Sequence, residues 1–251
     1  MDRVLTVMAE AARAAGEVAL AHFRRGVEPT MKPDRSPVTV ADREAEEAIV
    51  RILRRAFPEY GSLGEESGAR GPTARRFIVD PIDGTRNFVR RIPFWATLIA
   101  LEQEGEVTAG LVYQPVSGDL HLARRGQGAT LNGRPIRVSG IGELGQGTLV
   151  HPTLTLLRAG GWDGFVRLVD ATERQRGFGD YLCYTMVAEG KVELGIGVNV
   201  KVWDLAPLKL LVEEAGGRFT DLDGGSSLTS GAALASNGLV HDEALALLNV
   251  R

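Results

Sequence analysis

Residues Asp80-Pro81-Ile82-Asp83-Gly84-Thr85-Arg86-Asn87 place two carboxylates three residues apart, followed by a glycine and a hydroxyl. The apolar Phe77-Ile78-Val79 before them predicts the end of a buried strand. Two acids at the mouth of a strand are costly to bury unless a positive charge sits between them. A hard divalent cation such as Mg²⁺ meets that need, since it prefers oxygen ligands and keeps part of its water. Gly84 and Thr85 can turn backbone N–H groups toward an anion. A metal and an anion at one place point to phosphate chemistry.

Further acids stand at predicted element boundaries. Gly64-Glu65-Glu66-Ser67 falls in a loop before the strand, and Trp203-Asp204 opens a helix. Taken singly, each has a plainer account. Glu65-Glu66 could be a solvated loop tip, Asp204 an N-cap, Asp83-Gly84 a turn, and Asp42 a first-turn charge favoured by the helix dipole.

The elements that must position these residues follow from hydrophobic period. Val4, Val7, Met8, Ala11, Ala15, Val18 and Ala19 predict a helix over 2–25. A polar loop at 32–37 precedes a second helix, which opens on the capping-box-like Thr39/Asp42 and ends near Pro58. From Arg76 the period shortens. Strands are expected at Arg76–Val79, Ala96–Glu102, Val107–Gln114 and Asp119–Ala123, as an antiparallel meander, with Asn132-Gly133 a further turn. The glycine-rich stretch 140–147 links this half to one that alternates strand and helix. Its strands are Gly147–His151, Val192–Val198, Arg218–Thr220 and Ala232–Ser236. Its helices are Gly161–Asp170, Asp180–Glu189, Asp204–Ala215 and His241–Leu248. The fold class is α+β, layered, with helices covering two sheets.

Composition narrows the function classes. The 251 residues carry 29 basic and 32 acidic side chains, a net charge of −3, so there is no strong field to hold nucleic acid. Nearly all the basic residues are Arg; the lysines are Lys32, Lys191, Lys201 and Lys209. Cys183 is the single cysteine, which excludes an intrachain disulfide and a Cys-rich metal site. The four histidines are scattered without ligand spacing, so oxygen donors are expected for any metal. The N-terminus has no signal-peptide core, and the longest apolar run, Ile92–Leu101, is too short to span a bilayer. A cytoplasmic location without membrane association is therefore expected.

Taken together, the acidic stretches resemble the inositol monophosphatase family, a branch of the Mg²⁺-dependent, Li⁺-sensitive phosphatases. The matching stretches are Gly64-Glu65-Glu66-Ser67, Asp80-Pro81-Ile82-Asp83-Gly84-Thr85, and Trp203-Asp204-Leu205-Ala206-Pro207 followed by Glu214-Ala215-Gly216-Gly217. Ser36-Pro37-Val38-Thr39 with Ala41-Asp42, and Ala235-Ser236-Asn237-Gly238, extend the likeness over nearly the whole chain. The resemblance implies a layered αβαβα sandwich and a Mg²⁺-dependent phosphomonoesterase using metal-activated water. It implies one phosphatase domain over 1–251, with an N-terminal α+β half (1–140) and a C-terminal α/β half (141–251) carrying Trp203-Asp204.

It also implies roles. Glu65, Asp80, Asp83, Asp204 and the Ile82 carbonyl would hold two or three Mg²⁺ ions. Gly84 and Thr85 would donate backbone N–H groups to phosphate. Asp42 would hydrogen-bond the Thr85 hydroxyl and, with Glu65, help orient the attacking water. Lys32 would lie on a mobile loop. A homodimer and Li⁺ inhibition are implied as well.

Substrate is where motif matches diverge. Inositol-specific members usually carry an acid seven positions before the motif aspartate, where this chain has Gly197; Arg86 stands where they commonly have a small residue. Asn87-Phe88-Val89-Arg90 running into Pro93–Leu101, and Arg176-Gly177-Phe178-Gly179-Asp180-Tyr181, look like the histidinol-phosphate phosphatase branch, although an acid is usual at position 197 there too. Asp180 is then a candidate for a substrate ammonium or hydroxyl, or else a helix N-cap. Asp83, Asp204 and Arg86 complete the candidate substrate contacts. The expected partner is a small phosphorylated alcohol, inositol-1-phosphate-like or histidinol phosphate. Fructose-1,6-bisphosphate, 3′-phosphoadenosine 5′-phosphate and a catalytically silent binding role are the alternatives.

Overall fold

The computed structural model describes residues 2–33 and 37–249; Asp34, Arg35 and the Ser36 of the Ser36–Thr39 stretch lie outside the described residues. The chain opens with helix α1 (Arg3–Arg25), strands β1 (Thr30–Met31) and β2 (Pro37–Val38), and helix α2 (Val40–Ala56). Thr39 caps α2, and Asp42 returns the bond to the Thr39 N–H, so the expected capping box forms.

Eight strands make the first sheet: β3 (Gly61–Gly64), β4 (Gly68–Arg70), β5 (Arg75–Asp83), β6 (Ala96–Gln103), β7 (Glu106–Gln114), β8 (Asp119–Arg124), β9 (Gly128–Leu131) and β10 (Arg134–Ile136). Their order is β10-β9-β8-β7-β6-β5-β3-β4. From β5 to β10 it is the expected antiparallel meander, and β3 joins β5 in parallel. Asn132 and Gly133 both take positive φ, 52° and 77°, as a two-residue β9–β10 hairpin requires.

Both faces of this sheet are apolar, and the alternation shows where each residue goes. Phe77 and Val79 of β5, with Ile99 and Leu101 of β6, meet Met8, Ala12, Ala45 and Ile49 of α1 and α2. Ile78, Leu98 and Ala100 point the other way, toward α6 (Leu182–Ala188) and α7 (Val202–Glu214). Between β5 and β6 lies the short helix α3 (Thr85–Val89). The central helix α7 buries Leu205, Ala206, Leu208, Leu210, Leu211 and Val212 all round, as a helix between two sheets must.

Beyond α6 and α7 lies the second sheet: β11 (Thr148–Val150), β12 (Arg174–Arg176), β13 (Leu194–Val198), β14 (Arg218–Thr220) and β15 (Ala232–Ser236), ordered β12-β11-β13-β15-β14. Its far face is covered by α4 (Leu154–Ala159), α5 (Trp162–Ala171) and α8 (His241–Asn249) through Leu149, Leu194, Leu234, Leu157, Phe165, Leu168 and Ala244. The result is the αβαβα layering. Periodicity missed the short elements β3, β4, α3, α4 and β12, which are too brief to show a period. Among the described residues no helix is long and apolar enough to cross a membrane.

One close contact ties the layers together. Pro207 within α7 lies on Gly110 of β7, where an added Cβ would stand 2.8 Å from the Pro207 carbonyl oxygen. Neither backbone can yield without moving a layer. Gly110→Ala is expected to cost about 1–3 kcal/mol, the usual range for overpacking. Urea titration should show a lower midpoint at an unchanged m-value; an unaltered midpoint would mean that the layers are not held at this distance.

Candidate active site

Strand β5 does not end at Val79, as the apolar run predicts, but continues to Asp83. Its pairing with β6 slips on the way: Asp80 lies opposite Leu98 and Asp83 opposite Ala96. Three steps on β5 answer two on β6, so β5 carries one extra residue in a bulge. In a regular strand, residues three apart face opposite sides. The extra residue cancels that inversion and turns both aspartates the same way. Pro81 suits a bulge because it has no N–H to give the ladder, and its carbonyl accepts from Thr97 Oγ1 at 2.9 Å.

Asp204 arrives from the opposite layer. It is not the helix cap but the third residue of α7; Lys201 is the cap, and Asp204 Oδ2 accepts the Lys201 N–H at 2.7 Å. One carboxylate oxygen each from Asp80, Asp83 and Asp204 lie within 4.8 Å of one another. Glu65 stands beside this group, within hydrogen-bond reach of Asp80. Its own N–H bonds to Val79 O at 3.1 Å, which continues the β3–β5 pairing. The Lys32 ammonium holds Glu65 Oε1 at 2.7 Å and Glu66 Oε1 at 2.5 Å.

Crowding leaves an electrostatic signature. Burial pushes Asp80 well above the usual carboxylate range, and Glu65, Asp83 and Asp204 push it further. Asp83 is raised likewise by burial, then by Asp180 and Asp204, although the Tyr181 N–H at 2.6 Å opposes this. Burial raises Asp204 to about 7 against the bond from Lys201. For Lys32, burial favours the neutral amine, but the bonds it donates to Glu65 and Glu66 outweigh this and raise its pKa. An all-oxygen donor set that repels itself is suited to a small divalent cation, which would take the place of the protons. Mg²⁺ fits these residues.

Next to the carboxylates the chain turns sharply. Gly84 is left-handed, φ 89°, and a Cβ there would stand 2.9 Å from Phe94 O. Thr85 Oγ1 lies 3.0 Å from Ile82 O and 3.4 Å from Asp42 Oδ1. Asp42 is buried, and its other oxygen takes both the Thr39 N–H and hydroxyl, at 2.7 and 2.6 Å. Asp180 is not an N-cap: it is left-handed at φ 53°, and α6 begins only at Leu182. That turn delivers the Tyr181 N–H to Asp83. The Asp180 carboxylate accepts from Asn87 Nδ2 at 3.2 Å. Burial lifts its pKa to about 6, against the pull of Arg86.

A cleft of about 240 Å³ opens at this place. Glu65, Asp83, Gly84, Thr85 and Asp204 share it with Arg86, Asn87, Phe178 and Asp180, and so do Tyr184 and Gly197. The structure thus brings every candidate side chain to the cleft or to its immediate support. Two supporting residues escape sequence reasoning. Buried Glu46 accepts the Glu66 and Ser67 N–H groups at 2.9 and 2.8 Å and so holds the Glu65 turn. The available signal was an acid four residues after Asp42, on the same helix face, amid Ala45 and Ile49. Tyr184 gave no signal, because its position depends on how α6 meets β13.

The raised carboxylates set a pH dependence. A carboxylate whose folded pKa lies above its unfolded one adds stability below about pH 4, and that stability is lost as pH rises through the folded pKa, near 7 for Asp204. The chelator-treated protein should therefore lose stability between about pH 4 and 7 at this site, while Mg²⁺ stabilises more as the competing protons leave. At 100 times its dissociation constant Mg²⁺ adds ~2.7 kcal/mol. Thermal melts should show a larger Mg²⁺-induced rise at pH 8 than at pH 6. Asp204→Asn should raise the chelated Tm at pH 8 and shrink the Mg²⁺ increment; an undiminished increment would contradict the assignment of Asp204 as a ligand.

Comparison with known proteins adds independent findings. The model described as the inositol monophosphatase family matches residues 1–249. A histidinol-phosphatase of Mycobacterium tuberculosis is 46% identical over 225 residues, covering 87% of this chain and 86% of that protein. A histidinol-phosphatase of Streptomyces coelicolor is 42% identical over 236 residues, covering 88% and 86%. Among solved structures, the extragenic suppressor protein suhB from Bartonella henselae superposes with a TM-score of 0.93 at 34% identity, covering 98% of each chain.

Proposed function

We propose that this chain, which belongs to the inositol monophosphatase family and is a phosphoric monoester hydrolase, acts with Mg²⁺ on histidinol phosphate. The observation that carries the substrate reading is Asp180. Its carboxylate lines the same cleft as Asp83, Thr85 and Asp204, on the side of Arg86 and Asn87. Above a pKa near 6 it is an anion in a partly dry cleft, where an ammonium group is its natural complement. An amino-alcohol phosphate supplies both the phosphate and that ammonium. The histidinol-phosphatase relatives support the same choice.

Asp80, Asp83, Asp204, Glu65 and the Ile82 carbonyl would hold the metal, two or three ions in all. When bound, the metal supplies charge neutralisation for phosphate and a water of lowered pKa. The residues themselves do the rest. Backbone N–H groups of Gly84 and Thr85 bind phosphate oxygens at the start of α3. Thr85 Oγ1, with its proton turned toward Asp42 Oδ1, keeps lone pairs free to accept from a water and so orients it. Asp42 can hold the proton that passes along this pair. Arg86 lies close enough to Asp180 to temper its charge. Lys32 offsets the charge of Glu65 and Glu66.

A homodimer, Li⁺ inhibition and a cytoplasmic location belong to the same proposal. A side chain at Gly197 would overlap the Tyr184 hydroxyl, so the acid usual there in both the inositol and the histidinol branches has no room without displacing it, and this position does not separate the two substrates.

Two variants test the reading. Asp83→Asn should abolish Mg²⁺-dependent phosphate release with an unchanged circular dichroism spectrum; near wild-type turnover would sink the metal assignment. Asp180→Asn should raise KM for histidinol phosphate ~10- to 100-fold, the loss expected for one charge-assisted hydrogen bond. An unaltered KM would remove Asp180 from the substrate site.

A further inference from the structure

One polar group of the cleft has no use in the scheme above. Tyr184 on α6 is 2% exposed, and its hydroxyl has no hydrogen-bond partner among the described residues. Its ring is held by Phe219, with centroids 5.5 Å apart. Two glycines let it come this close. Gly195 and Gly197 share one face of β13; a Cβ on the first would overlap the Cys183 carbonyl, and on the second the Tyr184 hydroxyl. The hydroxyl thus sits in the space that any side chain at 197 would claim, on the part of the cleft wall built by 197–200.

A buried hydroxyl without a partner is uncommon, because it loses its bonds to water and gains none. A phenylalanine would pack against Phe219 equally well and avoid that cost. Burial and the acids Asp204, Asp83 and Asp180 hold the phenol in its protonated form, so it can donate. The cleft already offers carboxylates for cations and N–H groups for anions. Neutral donors line it too, among them Asn199 and Asn87, whose amide is engaged by Phe94 O and Asp180; the Tyr184 hydroxyl is the buried one with no partner among the described residues.

We propose that the Tyr184 hydroxyl is a substrate-specificity contact that donates a hydrogen bond to a neutral acceptor on the alcohol part of the substrate, the unprotonated imidazole nitrogen of histidinol phosphate. This rests on the function proposed above and deepens it. It makes the chain selective among amino-alcohol phosphates for those with a ring acceptor. The contact is distant from the reacting bond and is made equally before and during reaction, so it acts on KM and not on kcat.

The test compares histidinol phosphate with phenylalaninol phosphate, in which a phenyl ring replaces imidazole on the same skeleton, at saturating Mg²⁺ and pH 8. The wild-type protein should show a KM about fivefold lower for histidinol phosphate, the worth of one neutral hydrogen bond. In Tyr184→Phe the two KM values should converge, with kcat for histidinol phosphate kept within about twofold. Equal KM values in the wild type, which needs no variant to fold, would overturn the contact. So would a Tyr184→Phe enzyme that retains the preference. If the wild type hydrolyses neither compound but does hydrolyse inositol-1-phosphate, the substrate proposed above fails, and this contact fails with it.

Discussion

Buried like charge is the constraint on which the rest of the structure depends. Asp80, Asp83 and Asp204 approach one another within 4.8 Å, with Glu65 alongside, in a place with little water. Neutral donors offset part of the repulsion: Ile82 N–H to Asp80, Tyr181 N–H to Asp83, and Lys201 N–H to Asp204 at the positive end of a helix. Lys32 offsets more at Glu65. The carboxylates still stand above their ordinary pKa range, so these donors do not suffice. A site of this kind exists because the surrounding layers hold it together, and its charge suits a divalent cation.

How the layers hold it can be followed element by element. The β5 bulge turns two aspartates to one side. The α7 helix, apolar all round, is trapped between two sheets and brings Asp204 to them; its distance from β7 is set by Gly110 under Pro207. The left-handed Asp180 starts α6 in a direction that gives its neighbour's N–H to Asp83. Each device is local, yet all converge on one cleft. A change in the spacing between layers would therefore alter the chemistry without touching a ligand.

The underside of the site is held by one helix face. Asp42 and Glu46, four residues apart on α2, are both buried. Asp42 accepts the N–H of the cap residue Thr39 and reaches toward Thr85, whereas Glu46 fixes the turn that presents Glu65 and Glu66. Gly64 leaves room for the Glu46 carboxylate, which a Cβ there would overlap. Two acids within an apolar stripe thus hold the Glu65 turn and Thr85 in place from below the cleft.

Residue type and period pointed to phosphate chemistry and a layered α+β fold, and the resemblance to the inositol monophosphatase family implied the phosphomonoesterase and the αβαβα order. The Asp80-to-Thr85 stretch called for metal and phosphate because carboxylates beside a buried strand require a cation. Strong periods predicted α1, α2 and the β6–β8 meander, since each repeats its burial pattern over two or more turns or pairs; α7, apolar all round, was marked by its closing Gly216-Gly217. Short elements such as β3 and α4 had no such repeat. Tertiary structure alone decided the register slip that turns Asp80 and Asp83 together, because a bulge depends on the partner strand. It moved Asp204 from helix cap to third position and made Asp180 a turn residue facing the cleft. It also set the Tyr184 hydroxyl against Gly197, a juxtaposition from two elements that pattern within either one cannot express. Local sequence carries what a segment prefers, and distances between segments arise only when their surfaces pack.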